Sequence, residues 1–468
     1  MRILMICAHE PAHDPRIDWE AQFAGATLEV TVLGFAGPGG APRPAQPPKA
    51  YATMRLAYAE VASWRYLRML GSTLSAPALV LVAIAGLFAL PPLLLLDLAL
   101  RAARAPADRS GWIWERVLRP LWRVIFRQRI VSRAAYVAAL LRTQFGPAAI
   151  LFSDYIAGLA AKPDVIHCND LDTLLVGVLA KRRFGCRVVY DAHEFYPYSD
   201  PGGHWLDVTF FRLLEQHLIR DADAVVTVNS MLAEVLRRTY GLRRVHSVPN
   251  AEPWVDHGER PASGPLTLAA NGRLKFLFQG RFSPDRGIEE LIEAWGRIDG
   301  SRCALFLRGP DNACRRQLIA RAAELGLLDR SVYFPDAVSE DALVAAAMEA
   351  DVGIIPYQPN VPNYEFACPN KLSQYLHAGL VVLANDLPYV RAVLNKARAG
   401  LFYSSRDRAT LVKAIERAAG DPEVVRNGRR NALAYARDHF NWQHFFPTLH
   451  RLYTDPAAAD ALPPEPEA

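Results

Sequence analysis

Short apolar runs, rich in β-branched residues and separated by helical segments, recur along this chain in two series. The first holds "RILMICA", "LEVTVLGF", "DVIHCND", "CRVVYDAHE" and "AVVTVNS", and closes at "VHSVPNAEP". The second holds "LKFLFQGRF", "CALFLRGP", "SVYFPDA", "DVGIIPYQ", "LVVLAND" and "AGLFYSS". Strands of this kind show no polar alternation, so both of their faces must be covered. Parallel sheets with helices on either side satisfy that demand. The predicted fold class is therefore α/β, with two Rossmann-like domains facing one another. The segment "PWVDHGERPASGPLTLAANGR", rich in Pro, Gly and Ala, divides the series. The expected boundaries are a first domain over 1–250, a linker over 251–272, a second domain over 273–454 and a disordered tail over 455–468.

A chain of 468 residues exceeds one ordinary core, and 51% hydrophobic with 22% charged residues describes a globular protein. A net charge of +5 is mild, and no aromatic-interleaved basic motif of the RNA-binding type occurs, so nucleic acid is not an expected partner. Six cysteines are scattered without a C-x-x-C pair, which reads as reduced thiols in a cytosolic compartment.

Residues 41–150 interrupt the first domain. After a proline-rich spacer, Ala76 to Leu96 forms an uncharged run of about 20 residues, close to one bilayer span. Next, Trp112, Trp114, Trp122 and Phe126 interleave with Arg116, Arg119, Arg123, Arg127 and Arg129, the composition of a basic amphipathic helix at a lipid surface. The competing reading is a solvated helix packed on the protein. Strands of one sheet precede and follow the apolar run, so both must lie on one side of a membrane. Pro91-Pro92 breaks a straight helix, and Arg65, Arg68, Arg101 and Arg104 flank it. The expectation is an apolar membrane-associating insertion over 76–129, re-entrant and monotopic, on an anionic cytoplasmic membrane face.

The chemistry concentrates in "PYQPNVPNYEFACPNKLSQYLHAGLVVLAND", Pro356 to Asp386. A polar loop leads into a helix beginning near Asn370, whose free N–H groups point to the carboxyl edge of the sheet, where open α/β sheets bind ligands. Lys371 adds a charge there, and "QGRFSPDRGIEELIEAW" brings Arg281 and Arg286 to a neighbouring loop. Each cation alone reads as a solvated surface charge. Converging, they suit a diphosphate.

With "DPRIDWEAQFAG", "VVYDAHE", "GRFSPDRGIEELIEA", "PNKLSQYLHAG" and "HFNWQHFFPTLHRLY" in this order, the sequence resembles the family 4 glycosyltransferases, retaining enzymes of GT-B architecture. The resemblance covers most of 1–35 and 160–450. It implies a basic pair, Arg281 and Arg286, on the donor diphosphate, and places Asn370, Lys371 and Gln374 in the donor loop and helix. The family carries glutamate at the Gln374 position, on the donor ribose; a glutamine still accepts a hydroxyl proton through its carbonyl oxygen. A further family glutamate falls on Phe366, with Glu365 one place off. The resemblance also puts His193 beside the reacting sugar or acceptor with Glu194 as neighbour, and Asp14 and Arg16 on the acceptor side. "DLD" at Asp170 to Asp172 resembles a metal-binding motif of another glycosyltransferase architecture. Arg and Lys neutralise a diphosphate without metal, so no metal and no cofactor are expected. The implied activity is retaining transfer from a nucleotide-diphosphate sugar to a membrane-associated acceptor, such as a lipid-linked saccharide or glycolipid in envelope synthesis. Catalysis would rest on His193, Arg281 and Lys371. Two alternatives stand beside it: a nucleotide-sugar epimerase of the same fold, and a non-catalytic nucleotide-binding or scaffold protein.

Overall fold

A computed structural model describes residues 1–37, 49–58, 65, 145–200, 203, 205–455 and 457. The chain divides into two compact units, Met1–Val225 and Val226–Ala468. The expected membrane-associating segment 76–129 and nearly all of the tail 455–468 lie outside the described residues. Among those described, no helix is long and apolar enough to cross a membrane.

The first unit opens with β1 (Arg2–Ile6), α1 (Pro15–Gly25), β2 (Glu29–Phe35) and β3 (Ala52–Leu56). It continues through α2 (Gly146–Gly158), β4 (Val165–Asn169), α3 (Leu171–Phe184), β5 (Arg187–Ala192) and α4 (Trp205–Leu218). The seven-stranded sheet runs β3-β2-β1-β4-β5 and extends to β6 (Ala224–Thr227) and β7 (His246–Ser247). Pairing is parallel from β3 across to β5, in the register Ile3 opposite Val30 and Val165. Strand β4 is buried at every position, as its unbroken apolar pattern requires. One strand departs from expectation. Residues 52–56 fall in the span read as an insertion, yet they form the edge strand β3. An edge strand needs little burial, so "ATMRL" carries no apolar signature, and Met54 stands 40% exposed.

In the second unit, α5 (Ser230–Tyr240) follows β6, and α6 (Pro265–Ala270) lies within the span expected to be a linker. Then come β8 (Leu274–Gln279), α7 (Ile288–Trp295), β9 (Cys303–Arg308), α8 (Ala313–Glu324), β10 (Val332–Tyr333), α9 (Leu343–Ala347) and β11 (Val352–Ile355). The unit ends with α10 (Pro362–Glu365), α11 (Asn370–His377), β12 (Val381–Asn385), α12 (Pro388–Ala397), β13 (Gly400–Tyr403), α13 (Arg408–Gly420), α14 (Pro422–Asp438) and α15 (Trp442–Thr454). Its six-stranded sheet is ordered β10-β9-β8-β11-β12-β13, parallel throughout. The strand order reverses between β8 and β11, which opens a crevice at their carboxyl ends. Phe276, Leu305, Ile354 and Leu383 fill the core, with Trp295 edge-on to Phe276 at 5.2 Å between ring centres. Each such side chain contributes about 1.5–3 kcal/mol on burial.

One glycine sets the position of α11. A Cβ on Gly353, in β11, would stand 2.4 Å from the Tyr375 ring. With that space free, the Tyr375 ring enters and its hydroxyl accepts the Gln279 backbone N–H at 3.0 Å. Helix α11 is thereby tied to the end of β8.

Candidate active site

In the second unit, Pro369 precedes α11, and no side chain caps the helix. Its first N–H groups are left to water or a ligand. Asn370 opens the helix, and Lys371 is buried, 8% exposed. The Lys371 Nζ donates to the Tyr357 hydroxyl at 3.3 Å and lies 5.2 Å from the centre of the Phe278 ring. Burial, with Arg286 adding to it, pushes its ammonium down to about 7. Among the described residues no carboxylate forms an ion pair with Lys371. Arg286 stacks on the Tyr357 ring at 4.3 Å and donates to the same hydroxyl. Gly280, at φ +133°, closes β8 beneath the lysine; a Cβ there would stand 2.5 Å from Nζ. Asn385 donates to the Tyr357 carbonyl at 2.8 Å, which fixes the loop after β11. Lys371, Arg286, Tyr357 and an uncapped helix N-terminus thus assemble at the reversal point of the sheet. Arg281 follows Gly280 and is exposed. Glu365 is exposed on α10, and Phe366 follows it half-buried.

Gln374 is in place on α11, but its carbonyl oxygen is engaged. It accepts from the Gln279 Nε2 at 3.2 Å, so the acceptor reserved for a ribose hydroxyl already has a partner. Gln279 Oε1 in turn accepts from Arg308 Nη1 at 3.4 Å. Burial pushes the Glu252 carboxyl up to about 7, with Gln374 acting against the shift.

The first unit gathers its polar residues at the carboxyl ends of β1, β4 and β5. Asp14 caps α1, accepting from the Arg16 N–H at 2.9 Å, and its other oxygen lies 3.4 Å from His193 Nδ1. His193 Nε2 lies 3.1 Å from Asn169 Oδ1 and 3.6 Å from Asp191 Oδ2, and its Nδ1 lies 3.6 Å from Asp170 Oδ2. Burial opposes a charge on this ring, but Asp170 and Asp191 outweigh it and hold the imidazole well above its ordinary range. These carboxylates favour the protonated, hydrogen-bond-donating form of the ring. Asp170 itself sits at φ 63°, a strained backbone for a residue with a side chain.

Arg16 does not reach outward as an acceptor contact. It is 2% exposed, and its guanidinium is held by Asp191 at 2.7 Å and Glu20 at 3.2 Å. It buttresses Asp191, and through it His193. Glu194 is exposed. Glu20, His167 and Asp191 bring three possible metal-ligand atoms within 4.8 Å of one another. Arg16 and His167, the latter lifted to about 9 by these neighbours, both pair with the two carboxylates, so the donor set fits an ion pair network better than a metal. The "DLD" carboxylates take no part in this trio.

Gln279, Arg308, Tyr357, Glu252 and His167 went unnoticed in the sequence. A signal existed: Asn169, Gln279, Arg308 and Asn385 each end an apolar strand with a polar residue, and each is 5% exposed or less. All six cysteines are unpaired, and all but Cys314 are buried.

The family model described as Glycosyltransferase Family 4 matches residues 98–251, and that described as Glycosyl transferases group 1 matches 273–421. A curated relative, the D-inositol 3-phosphate glycosyltransferase of Gordonia bronchialis, is 25% identical over 299 residues, which is 60% of this chain and 63% of the relative. The chain thus spans less than two thirds of that relative's length. Among solved structures, sucrose-phosphate synthase from Thermosynechococcus elongatus aligns over 98% of this chain and 100% of its own, with TM-score 0.63 and 16% identity. Anabaena HepE in complex with UDP aligns over 97% and 99%, with TM-score 0.59 and 13% identity. These structural likenesses show the fold, two parallel-sheet α/β domains consistent with GT-B. The two glycosyltransferase domains and the relative's name support a transferase enzyme.

Proposed function

We propose that this chain transfers a glycosyl group from a nucleotide-diphosphate sugar to a membrane-associated acceptor, with retention at the anomeric carbon. The observation that carries the reading is Lys371: a buried lysine at an uncapped helix N-terminus, backed by Arg286, with no carboxylate in ion-pair contact among the described residues and only Glu340 acting on it from further off. A diphosphate supplies the missing anion. As the glycosidic bond to the diphosphate breaks, charge grows on the leaving oxygens, and fixed cations with helix N–H groups stabilise it without reorganisation. UDP in Anabaena HepE, a structure of the same fold, supports a nucleoside diphosphate as the ligand class. His193, held as a donor by three carboxylates, suits a hydrogen bond to a sugar or acceptor hydroxyl. A lipid-linked acceptor is supported by composition: an uncharged run from Ala76 to Leu96 and the arginine–tryptophan stretch after it. Envelope polysaccharide or glycolipid synthesis at the cytoplasmic membrane face follows from such an acceptor.

The test is incubation of the full chain with labelled UDP-, GDP- and ADP-sugars and a bacterial lipid extract. Label in the lipid fraction supports the proposal. Conversion of the free nucleotide sugar to its epimer, or no turnover with any donor, overturns it.

A further inference from the structure

The second unit holds a cavity of about 640 Å³ away from the Lys371 crevice. Its walls are the segment from Trp254 to Arg260, the turn from His377 to Gly379 after α11, and one face of α14. Lys371 lies in the first turn of α11 and His377 ends it, six residues or ~9 Å further along the axis. Asp351 and Lys275, beside the cavity, stand at the starts of β11 and β8, whereas Gln279 and Asn385 end their strands at the Lys371 edge. The cavity therefore opens at the amino edge of the sheet, and the crevice at the carboxyl edge.

On α14, Arg426, Arg430, Leu433 and Arg437 follow at spacings of four, three and four, which puts them on one stripe of the helix. Arg429 lies next to them. Its Nε donates to the Gly379 carbonyl at 3.1 Å and its Nη1 to Asp351 Oδ1 at 3.4 Å. Arg260 reaches the same oxygen at 2.8 Å, and Lys275 the other oxygen at 3.2 Å. One carboxylate thus serves three cations. Arg426 and Arg437 are matched by Glu423 and Asp438. Arg430 donates to Asn427 Oδ1 at 3.3 Å and, among the described residues, has no carboxylate in ion-pair contact. Asp256, also on the wall, accepts the Gly258 N–H at 2.9 Å. Among the described residues here, the cations Arg260, Lys275, Arg426, Arg429, Arg430 and Arg437 outnumber the carboxylates Asp256, Asp351, Glu423 and Asp438 by two. Burial and then Arg260 push Arg429 below its ordinary range, with Asp351 acting against them.

The rest of the lining is uncharged. The Trp254 backbone exchanges two hydrogen bonds with the Gln443 amide, at 2.8 and 3.1 Å, and its ring centre lies 5.6 Å from that of His377. His377 Nε2 donates to the Phe440 carbonyl at 2.9 Å, and burial pushes the ring down to about 4, so it adds no charge. Val255 and Leu433 line the same cavity and are 54% and 44% exposed, apolar surface with nothing described upon it.

Two surplus charges on planar guanidinium forks match a phosphate dianion, whose oxygens accept paired N–H groups; a carboxylate brings one charge only. We propose that this cavity binds a phosphomonoester, its dianion on Arg430, Arg429 and Arg260 and its organic part on Trp254 and Leu433. The ligand is distinct from the nucleotide sugar, and the site stands whether or not the function proposed above does. A soluble sugar or polyol phosphate and a phosphatidic-acid headgroup present the same chemistry.

The experiment uses the full chain carrying Lys371→Met, so that the donor crevice does not compete for phosphate. One arm titrates glucose 6-phosphate and glycerol 3-phosphate by calorimetry, with glucose and glycerol as uncharged controls. The other floats the protein with vesicles of phosphatidylcholine, with and without phosphatidic acid. Each arm is repeated with Arg430→Ala, whose exposed side chain carries no packing, and with Arg430→Lys. Arg430→Ala should weaken phosphomonoester binding about ten- to a hundredfold, as when a charged hydrogen bond is lost, and Arg430→Lys should recover part of it. Arg430-dependent titration supports the site with a soluble ligand. Arg430-dependent flotation on phosphatidic acid, without titration, supports it with a lipid headgroup. Binding unaffected by Arg430→Ala in both arms, or no binding in either, overturns the proposal.

Discussion

Replacing Lys371 with methionine should stabilise the second unit while removing donor binding. The buried ammonium falls from its ordinary 10.5 to about 7, chiefly through burial and then through Arg286. At about 1.36 kcal/mol per pH unit, that corresponds to roughly 5 kcal/mol of lost charge stabilisation. The sign follows from proton counting. The folded state binds the lysine proton more weakly than the unfolded chain, so the penalty is fully present below pH 7. It is relieved as pH rises from about 7 towards 10.5. Methionine keeps the packing on the Phe278 and Tyr357 rings without the charge. At pH 6 the variant should melt higher; even a third of the penalty amounts to about 3–6 °C for a unit of this size. The gap should close by pH 10. Turnover should fall by about 10²–10³, as when one oxyanion donor is lost. Thermal melts of both proteins from pH 6 to 10, with titration of a nucleotide sugar, read both effects. A variant less stable than wild type at pH 6, or one with undiminished donor affinity, refutes the reasoning.

Tyr357→Phe removes the hydroxyl shared by Lys371 and Arg286 and keeps the ring beneath them. Nucleotide affinity should drop by about 1 kcal/mol with the melt unchanged; equal affinity by calorimetry would count against the shared hydroxyl. In the first unit, burial works against a charge on His167, but Glu20 and Asp191 lift it from 6.5 to about 9. The stabilisation from this raised group is complete below pH 6.5 and disappears as pH passes 9, a loss of about 3 kcal/mol. Urea unfolding of wild type should show that slope and His167→Phe should not; a flat wild-type profile rejects it. Asp191→Asn removes one of the two carboxylates on Arg16, leaving Glu20, and should cost about 3 kcal/mol, measured by the same unfolding. Deletion of residues 76–129 with a short linker should release the protein from membranes in a flotation assay and abolish transfer to lipid, while nucleotide binding persists. Full transfer without membranes would remove the anchor from the mechanism.

Sequence alone determined the strands whose burial is complete. "VIHCN", "CALFLR" and "VVLAN" are apolar on both faces because helices cover both, and that demand is written in every residue of the run. It also placed a helix start near Asn370 with Lys371 in its first turn, since a loop and a helix start are local facts, while Gln374 came only from the resemblance. The tertiary structure decided which polar side chains are drawn into contacts within the protein. The resemblance puts Arg16 on the acceptor side, yet Asp191, 175 residues away, holds its guanidinium in the core. Gln374 was given a free carbonyl, but a strand end 95 residues distant takes it. Glu252 looked like a linker residue, until Ser373 and Trp442 fixed its backbone against α11. Strand β3 belongs with these, since an edge position frees it from the apolar pattern that marks the others. Burial of a repeating apolar face leaves a periodic trace along the chain. A hydrogen bond between distant polar groups leaves none, because its partner is chosen only when the sheets have brought the strand ends together.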